Sequence, residues 1–200
     1  FSQLSARRML NIDSEDEGIF TVSCAGGSMA RCALPVTRTA FAGTALAVRV
    51  RGLMGGHSGS DIHLERGNGD LILARIVEKL MRTGEPHLVS LSGGTKDNAI
   101  NREATAVVAY ADAESAQQAV EVASALIADI KAEFEVFDPG FTCTVTVADG
   151  VEVDAMSDAD ARAFIGALRI APNGVMRRNV AADGAVEGSS NIGVVITEDA

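Results

Sequence analysis

Alternation between hydrophobic and polar residues predicts the strands of this chain. Across residues 44–53, Leu46, Val48 and Val50 fall on one face and arginines fall on the other, as in a half-buried strand. Short apolar or alternating runs recur at intervals further along the chain. From residue 44 onward the pattern predicts five strands, at residues 44–53, 87–91, 104–110, 141–147 and 190–197.

Apolar residues spaced by three and four positions predict three helices. The first spans residues 68–81 and ends before a glycine and a proline. The second begins at Asp112, whose side chain can accept from the free amides of the first turn, and runs to Phe134. The third begins at Ser157 and ends near Leu168.

The order of these elements from residue 44 is β-α-β-β-α-β, followed by a further helix and strand. This order is typical of a ferredoxin-like α+β fold, in which helices pack on one face of an antiparallel-rich sheet. Two shorter strands are predicted at residues 9–13 and 19–23, before a glycine-rich connection. We therefore expect a domain boundary near residues 24–28. Because the chain begins with Phe1 and not Met, we also expect a piece of a longer protein.

Composition narrows the class of protein. Hydrophobic residues make up 47% of the 200 residues, enough for a substantial core, and no run is long enough to span a membrane. The net charge of −10 disfavours a nucleic-acid or anionic-membrane partner. An odd set of cysteines, Cys24, Cys32 and Cys143, is not a disulfide framework and fits the reducing cytoplasm. Each cysteine is expected to be a small buried hydrophobic residue.

The most informative stretch is residues 53–64, in which His57 follows two glycines at the end of a predicted strand. Glycines remove side-chain bulk, so a ligand or another backbone can approach the imidazole closely. A histidine displayed between a strand and a helix is well placed to contact a substrate. Alternatively, the glycines only make a turn and His57 hydrogen-bonds within the loop.

Six stretches in this order resemble the aminoacyl-histidine dipeptidase (Xaa-His dipeptidase) family of the dizinc aminoacylase/carboxypeptidase superfamily. They are Asn11–Gly18, Cys24–Gly27, Gly52–Leu64, Gly93–Ile100, Pro172–Val175 and Val186–Asn191. The resemblance implies a zinc-bearing catalytic domain with an inserted lid domain. It places residues 1–24 at the end of the first catalytic segment and residues 25–200 in the lid and dimerisation domain, truncated at its carboxy end.

The resemblance also implies roles for three residues. Asp13 corresponds to a zinc ligand, His57 to a lid histidine that stabilises the tetrahedral oxyanion, and Asn98 to a residue that lines the substrate pocket. An imidazole N–H can be aimed at charge that appears only in the transition state. Without the resemblance, we would interpret Asp13 as the start of an acidic turn. We would interpret Asn98 as an ordinary loop asparagine.

Departures from the family limit what this chain can do alone. Asn101 stands where the family has Pro, which is expected to free the backbone beside Asn98, and Gly188 stands where it has Thr. The other zinc ligands and the general base have no counterpart here. The family binds two zinc ions, but a catalytic zinc needs about three protein ligands. Stoichiometric zinc binding by this chain is therefore not expected.

Two functions follow from these observations. In the first, the chain is the lid of a cytoplasmic zinc-dependent dipeptidase, and its partners are a dipeptide substrate and the missing catalytic domain. In the second, it is a catalytically inert module that self-associates, as a homodimer, through its sheet edge or its helices.

Overall fold

The computed structural model describes residues 5–8, 17–19 and 26–198. The strand predicted at residues 9–13, most of the one at 19–23, the zinc-ligand candidate Asp13 and Cys24 lie outside the described residues. The chain divides into two units, residues 1–32 and residues 33–200. Every helix and strand of the described residues lies in the second unit.

This unit contains three helices, one four-stranded sheet, and two short two-stranded sheets among the described residues. The helices are α1 (Gly69–Thr83), α2 (Ala113–Phe134) and α3 (Asp158–Ile170). The strands are β1 (Arg38–Arg51), β2 (Gly56–His57), β3 (His87–Gly93), β4 (Ala99–Ile100), β5 (Ala104–Tyr110), β6 (Thr142–Met156), β7 (Gly174–Asn179) and β8 (Ala185–Ser190).

The main sheet has the order β3-β5-β1-β6, and every neighbouring pair is antiparallel. Together with α1 between β1 and β3, and α2 between β5 and β6, this is the ferredoxin-like arrangement. The predicted α+β fold class is thereby confirmed. None of the helices in the described part of the chain is long and apolar enough to cross a membrane.

The core lies between the helices and one face of the sheet. The predicted inward residues of β1, namely Leu46, Val48 and Val50, are fully buried. The centre of α2 is buried against them at Ala123 and Ile130. So are the apolar residues of α1 that are spaced by three and four positions, namely Leu73, Ile76, Val77 and Leu80. Burying aliphatic side chains contributes roughly 1.5–3 kcal/mol each. Since aromatic residues are scarce, this aliphatic packing supplies most of the core.

Side-chain caps fix where the helices begin. The Asn68 side chain accepts from the amides of Asp70 and Leu71 at the start of α1. Asp112 accepts from the Ser115 amide at 2.7 Å, and the Ser157 hydroxyl accepts from the Asp160 backbone amide at 3.2 Å. Each cap satisfies amides that the first helical turn leaves without a partner. The predicted starts of all three helices are therefore correct.

Strands β1 and β6 are longer than predicted. Each continues past a bulge between Gly43 and Ala45, where residues 38–43 pair with residues 151–156. The Asp149-Gly150 sequence in the middle of β6 has the appearance of a turn, and Gly150 does adopt a φ of 65°. The strand continues because its partner β1 supplies hydrogen bonds on both sides of the irregularity.

The prediction of a strand at residues 190–197 is wrong. Residues 185–190 form β8, which pairs with β7 in a hairpin that the pattern did not predict. Beyond it, Val195 makes a single bridge to Gly93, and the Thr197 hydroxyl donates to the Leu91 carbonyl at 2.8 Å. The segment follows the edge of β3 through a bridge and side-chain bonds, so its apolar alternation does not produce a ladder.

The cysteines differ from the prediction in part. Cys143 is half-buried in β6, and burial raises the pKa of its thiol to about 11. It behaves as the small hydrophobic residue that was expected. Cys32, in contrast, is exposed.

Candidate functional site

The turn that carries His57 is built from glycines that no other residue could replace without strain. Gly55 has a φ of 64° and Gly56 a φ of 141°, both in the region that disfavours side chains. A Cβ on Gly55 would collide with the Arg102 side chain, and one on Gly56 would lie 2.5 Å from an Asp61 oxygen. The glycines therefore let two neighbouring side chains approach the backbone just before His57.

The His57 ring is exposed, and one of its nitrogens is already engaged. Nδ1 accepts a hydrogen bond from the Gly59 amide at 3.0 Å. An accepting Nδ1 places the proton of the neutral ring on Nε2. The ring therefore bonds within its own loop, and this bond leaves Nε2–H as the remaining donor of the exposed ring.

Two side chains within the loop fix its shape. The backbone amide of His57 donates to Asp61 at 2.8 Å, and Arg66 donates to the Gly55 carbonyl. The His57 amide, with a smaller contribution from Arg66, lowers the pKa of Asp61 below its ordinary value. Asp61 therefore stays ionised and keeps its hold on the His57 backbone at neutral pH.

Asn98 is brought beside His57 by the small sheet of β2 and β4. His57 pairs with Ala99, and the Ser58 amide donates to the Asn98 carbonyl at 2.9 Å. The Asn98 side chain is exposed, like that of His57. Two of the three predicted site residues, 41 positions apart in sequence, are thus on adjacent backbones.

A second segment supports the Asn98 loop. The Asn191 side chain donates to the Ala99 carbonyl at 2.8 Å. Gly94, with a φ of 75°, packs against the Gly193 carbonyl so closely that a Cβ would collide with it. Sequence reasoning gave Asn191 no role, although it lies in one of the six resembling stretches.

Asn101 stands where the family has Pro, and this difference was expected to free the backbone beside Asn98. In the structure, Asn101 instead holds the backbone in place. Its side-chain oxygen accepts from the Glu103 amide at 3.0 Å, and its carbonyl accepts from the Gly69 amide at 3.1 Å. These bonds anchor the end of β4 to the start of α1. Gly188 has open space around it, and nothing in the structure explains why it stands in place of Thr.

A buried carboxyl lies beside Asn101. The Asp70 side chain is fully buried, and neither of its oxygens has a hydrogen-bond partner among the described residues. Burial raises its pKa from 3.8 to about 7, and the nearby Asn101 amide, which does not make a hydrogen bond to it, opposes this rise only in part. Sequence patterns gave no signal for this group, because an Asp in the first turn of a helix is ordinarily exposed.

The described residues contain no group of three or more His, Cys, Asp or Glu side chains that could hold a metal ion. His63 is exposed in a single 3₁₀ turn, Ile62–Leu64. His87 stacks on Phe41 with ring centroids 4.2 Å apart, away from the His57 turn. Neither histidine belongs to a group of metal-ligating side chains among the described residues.

Part of this chain matches a known family of domains. Residues 48–136 match the family model described as a peptidase dimerisation domain. The particular proteins it resembles are dipeptidases. It is 34% identical over 202 residues to the cytosol non-specific dipeptidase of Escherichia coli (strain K12), covering 98% of this chain and 40% of that protein.

A solved structure gives the same result. The crystal structure of aminoacylhistidine dipeptidase from Vibrio alginolyticus matches 83% of this chain with a TM-score of 0.76 and 32% identity. The match covers 34% of that protein. These findings confirm the resemblance that the sequence motifs indicated. They also mean that the chain spans well under half the length of the relatives it matches.

Proposed function

We propose that this chain is the lid and dimerisation part of a zinc-dependent dipeptidase that hydrolyses Xaa-His dipeptides in the cytosol. Residues 1–24 would belong to the catalytic domain and residues 25–200 to the lid. The observation that carries the proposal is the exposed His57 ring, whose Nε2–H is set as a donor beside Asn98. Similarity to dipeptidases across nearly the whole chain supports it.

In this proposal, His57 donates from Nε2 to the oxyanion that develops on the scissile carbonyl. A donor held in place before the reaction needs no reorganisation as that charge appears. Asn98 orients the substrate through its amide, which can donate to a carbonyl or carboxylate and accept from an N–H. The catalytic domain would hold the zinc ions, with Asp13 as one ligand. The described residues do not fit a zinc centre on their own.

A comparison of two proteins tests this division of labour. We expect the full-length protein encoded by the reading frame that contains this chain to hydrolyse Xaa-His dipeptides, and chelation to abolish that activity. We expect the 200-residue chain to show no turnover and no stoichiometric zinc, because three or so protein ligands are needed. Activity or tight zinc binding by the chain alone would contradict the proposal. So would a full-length protein inactive toward Xaa-His substrates.

A second function, self-association, is favoured by the match to a peptidase dimerisation domain. Strand β6 lies at the end of the sheet order and, among the described residues, pairs only with β1. A long open edge offers backbone groups to a second copy. We expect sedimentation velocity to give a species of twice the 20.7 kDa mass of the chain at micromolar concentration. A monomer at every concentration would contradict a dimerisation role.

A further inference from the structure

Asp138 holds both ends of the loop that carries His57. It lies in the turn between α2 and β6, and only 1% of its surface is exposed. Its Oδ1 accepts from the Met54 amide and its Oδ2 from the Gly67 amide, each at 2.6 Å. These two amides bracket residues 55–66, which contain the whole His57 turn. One buried carboxyl therefore closes the loop at its base.

We propose that Asp138 is a positioning residue for His57. The bonds from Asp61 and Arg66 act within the loop and fix its shape. Asp138 instead fixes where the loop leaves β1 and where it enters α1, and so where the His57 ring is presented. The catalytic consequence rests on the function proposed for His57, whereas the positioning itself does not.

The packing around Asp138 is specific to this role. Gly52, with a φ of 77°, passes so close to the Gly140 carbonyl that a Cβ would collide with it. A Cβ on Gly67 would lie 3.2 Å from Oδ2 of Asp138, so the glycine allows the carboxyl to reach the amide. Phe141, 2% exposed, anchors the turn in the core. The turn is therefore held in place, and the base of the loop contacts it through the Met54 and Gly67 amides.

Asp138→Asn tests the inference with little change in shape. Asparagine keeps one accepting oxygen, but its NH₂ group would face the other amide donor. We expect the Met54 and Gly67 amides to exchange roughly ten- to a hundredfold faster relative to the Val48 amide of β1. We also expect the ¹⁵N shifts of the His57 ring to move away from those of a single Nε2–H tautomer, because the Gly59 bond depends on the loop shape.

Asp160→Asn is the matched control. Asp160 also accepts from two donors, the Thr37 amide at 2.8 Å and the Ser157 hydroxyl at 2.7 Å, but at the opposite end of β1. The Asp160→Asn variant should leave the exchange rates of the Met54 and Gly67 amides and the ¹⁵N shifts of the His57 ring unchanged. If Asp138→Asn does not fold, Gly67→Ala adds a methyl group 3.2 Å from Oδ2, and the amide at position 67 should then exchange faster than the intrinsic difference between alanine and glycine explains. Unchanged exchange and unchanged ring shifts in a folded Asp138 or Gly67 variant would overturn the proposal.

Kinetics of the full-length protein separate this inference from the proposed function. If Asp138 acts through His57, Asp138→Asn lowers kcat in the wild-type background and has no further effect on kcat in a His57→Ala background. An equal loss in both backgrounds would overturn the link to His57. If His57→Ala itself leaves kcat unchanged, the proposed function fails, while the exchange and ring measurements still decide whether Asp138 positions the loop.

Discussion

His57→Ala is expected to lower kcat of the full-length protein toward Xaa-His dipeptides by about two to three orders of magnitude, with a much smaller change in KM, if the proposed function is correct. In the proposed mechanism the oxyanion exists only after attack on the carbonyl, so the Nε2–H would contribute to the transition state more than to substrate binding. The Gly59 bond to Nδ1 fixes this donor before substrate arrives. Steady-state kinetics with an Xaa-His dipeptide measure the effect.

His63→Ala is the control for this prediction. It removes the same side chain six positions later, from an exposed 3₁₀ turn. Its kcat should match that of the unmodified enzyme. Circular dichroism and thermal unfolding should be the same for both variants, since His57 is exposed and contributes nothing to the core. A His57→Ala enzyme with undiminished kcat would exclude His57 as the oxyanion donor.

Asp70→Asn is expected to stabilise the fold at and above neutral pH. The folded state raises the pKa of Asp70 from 3.8 to about 7, so the folded protein keeps a proton that the unfolded chain releases. Protonation of Asp70 contributes fully to the free energy of unfolding below pH 4, and this contribution is lost as the pH rises through 7. About three pKa units at 1.36 kcal/mol each correspond to on the order of 4 kcal/mol at pH 8. Asparagine is neutral at every pH, so the variant does not lose this free energy of unfolding as the pH rises.

Urea unfolding at several pH values between 4 and 8.5 measures the effect. For the variant, the free energy of unfolding should vary much less with pH over this range than for the unmodified chain. Asp112→Asn provides a control of opposite sign, because the Ser115 amide lowers the pKa of the exposed Asp112 carboxyl. That variant should be slightly less stable at neutral pH. An Asp70→Asn variant no more stable at pH 8 would contradict the burial argument.

The helices could be predicted from the sequence because their signals are local. Asp112 and Ser157 bond to amides three residues ahead, and the stripe of α1 repeats within its own turns. The end of β6 and the course of residues 190–197 could not, since a strand extends only where a partner pairs with it. Residues 151–156 gain that partner from residues 38–43, and residues 191–197 do not.

The residues of the candidate site also differ in whether the sequence could predict them. His57 and Asn98 stood out because glycines and resembling motifs mark them in the sequence. Asp138 lies in an Asp-Pro-Gly turn that looks like an ordinary helix stop, and its bonds to Met54 and Gly67 join residues far apart in the chain. No periodicity or local spacing reports such a contact.

The sequence by itself therefore determined the order of the three helices and the four strands of the main sheet, the ferredoxin-like class and the histidine turn. These follow from periodicity, caps and glycines, each of which acts over a few residues. Only the tertiary structure decided that Asn98 adjoins His57, that Asp138 closes the loop base, and that Asp70 is buried without a partner. Each of these depends on which distant segments meet when the sheet and helices pack, and hydrogen-bond partners and burial exist only after that packing.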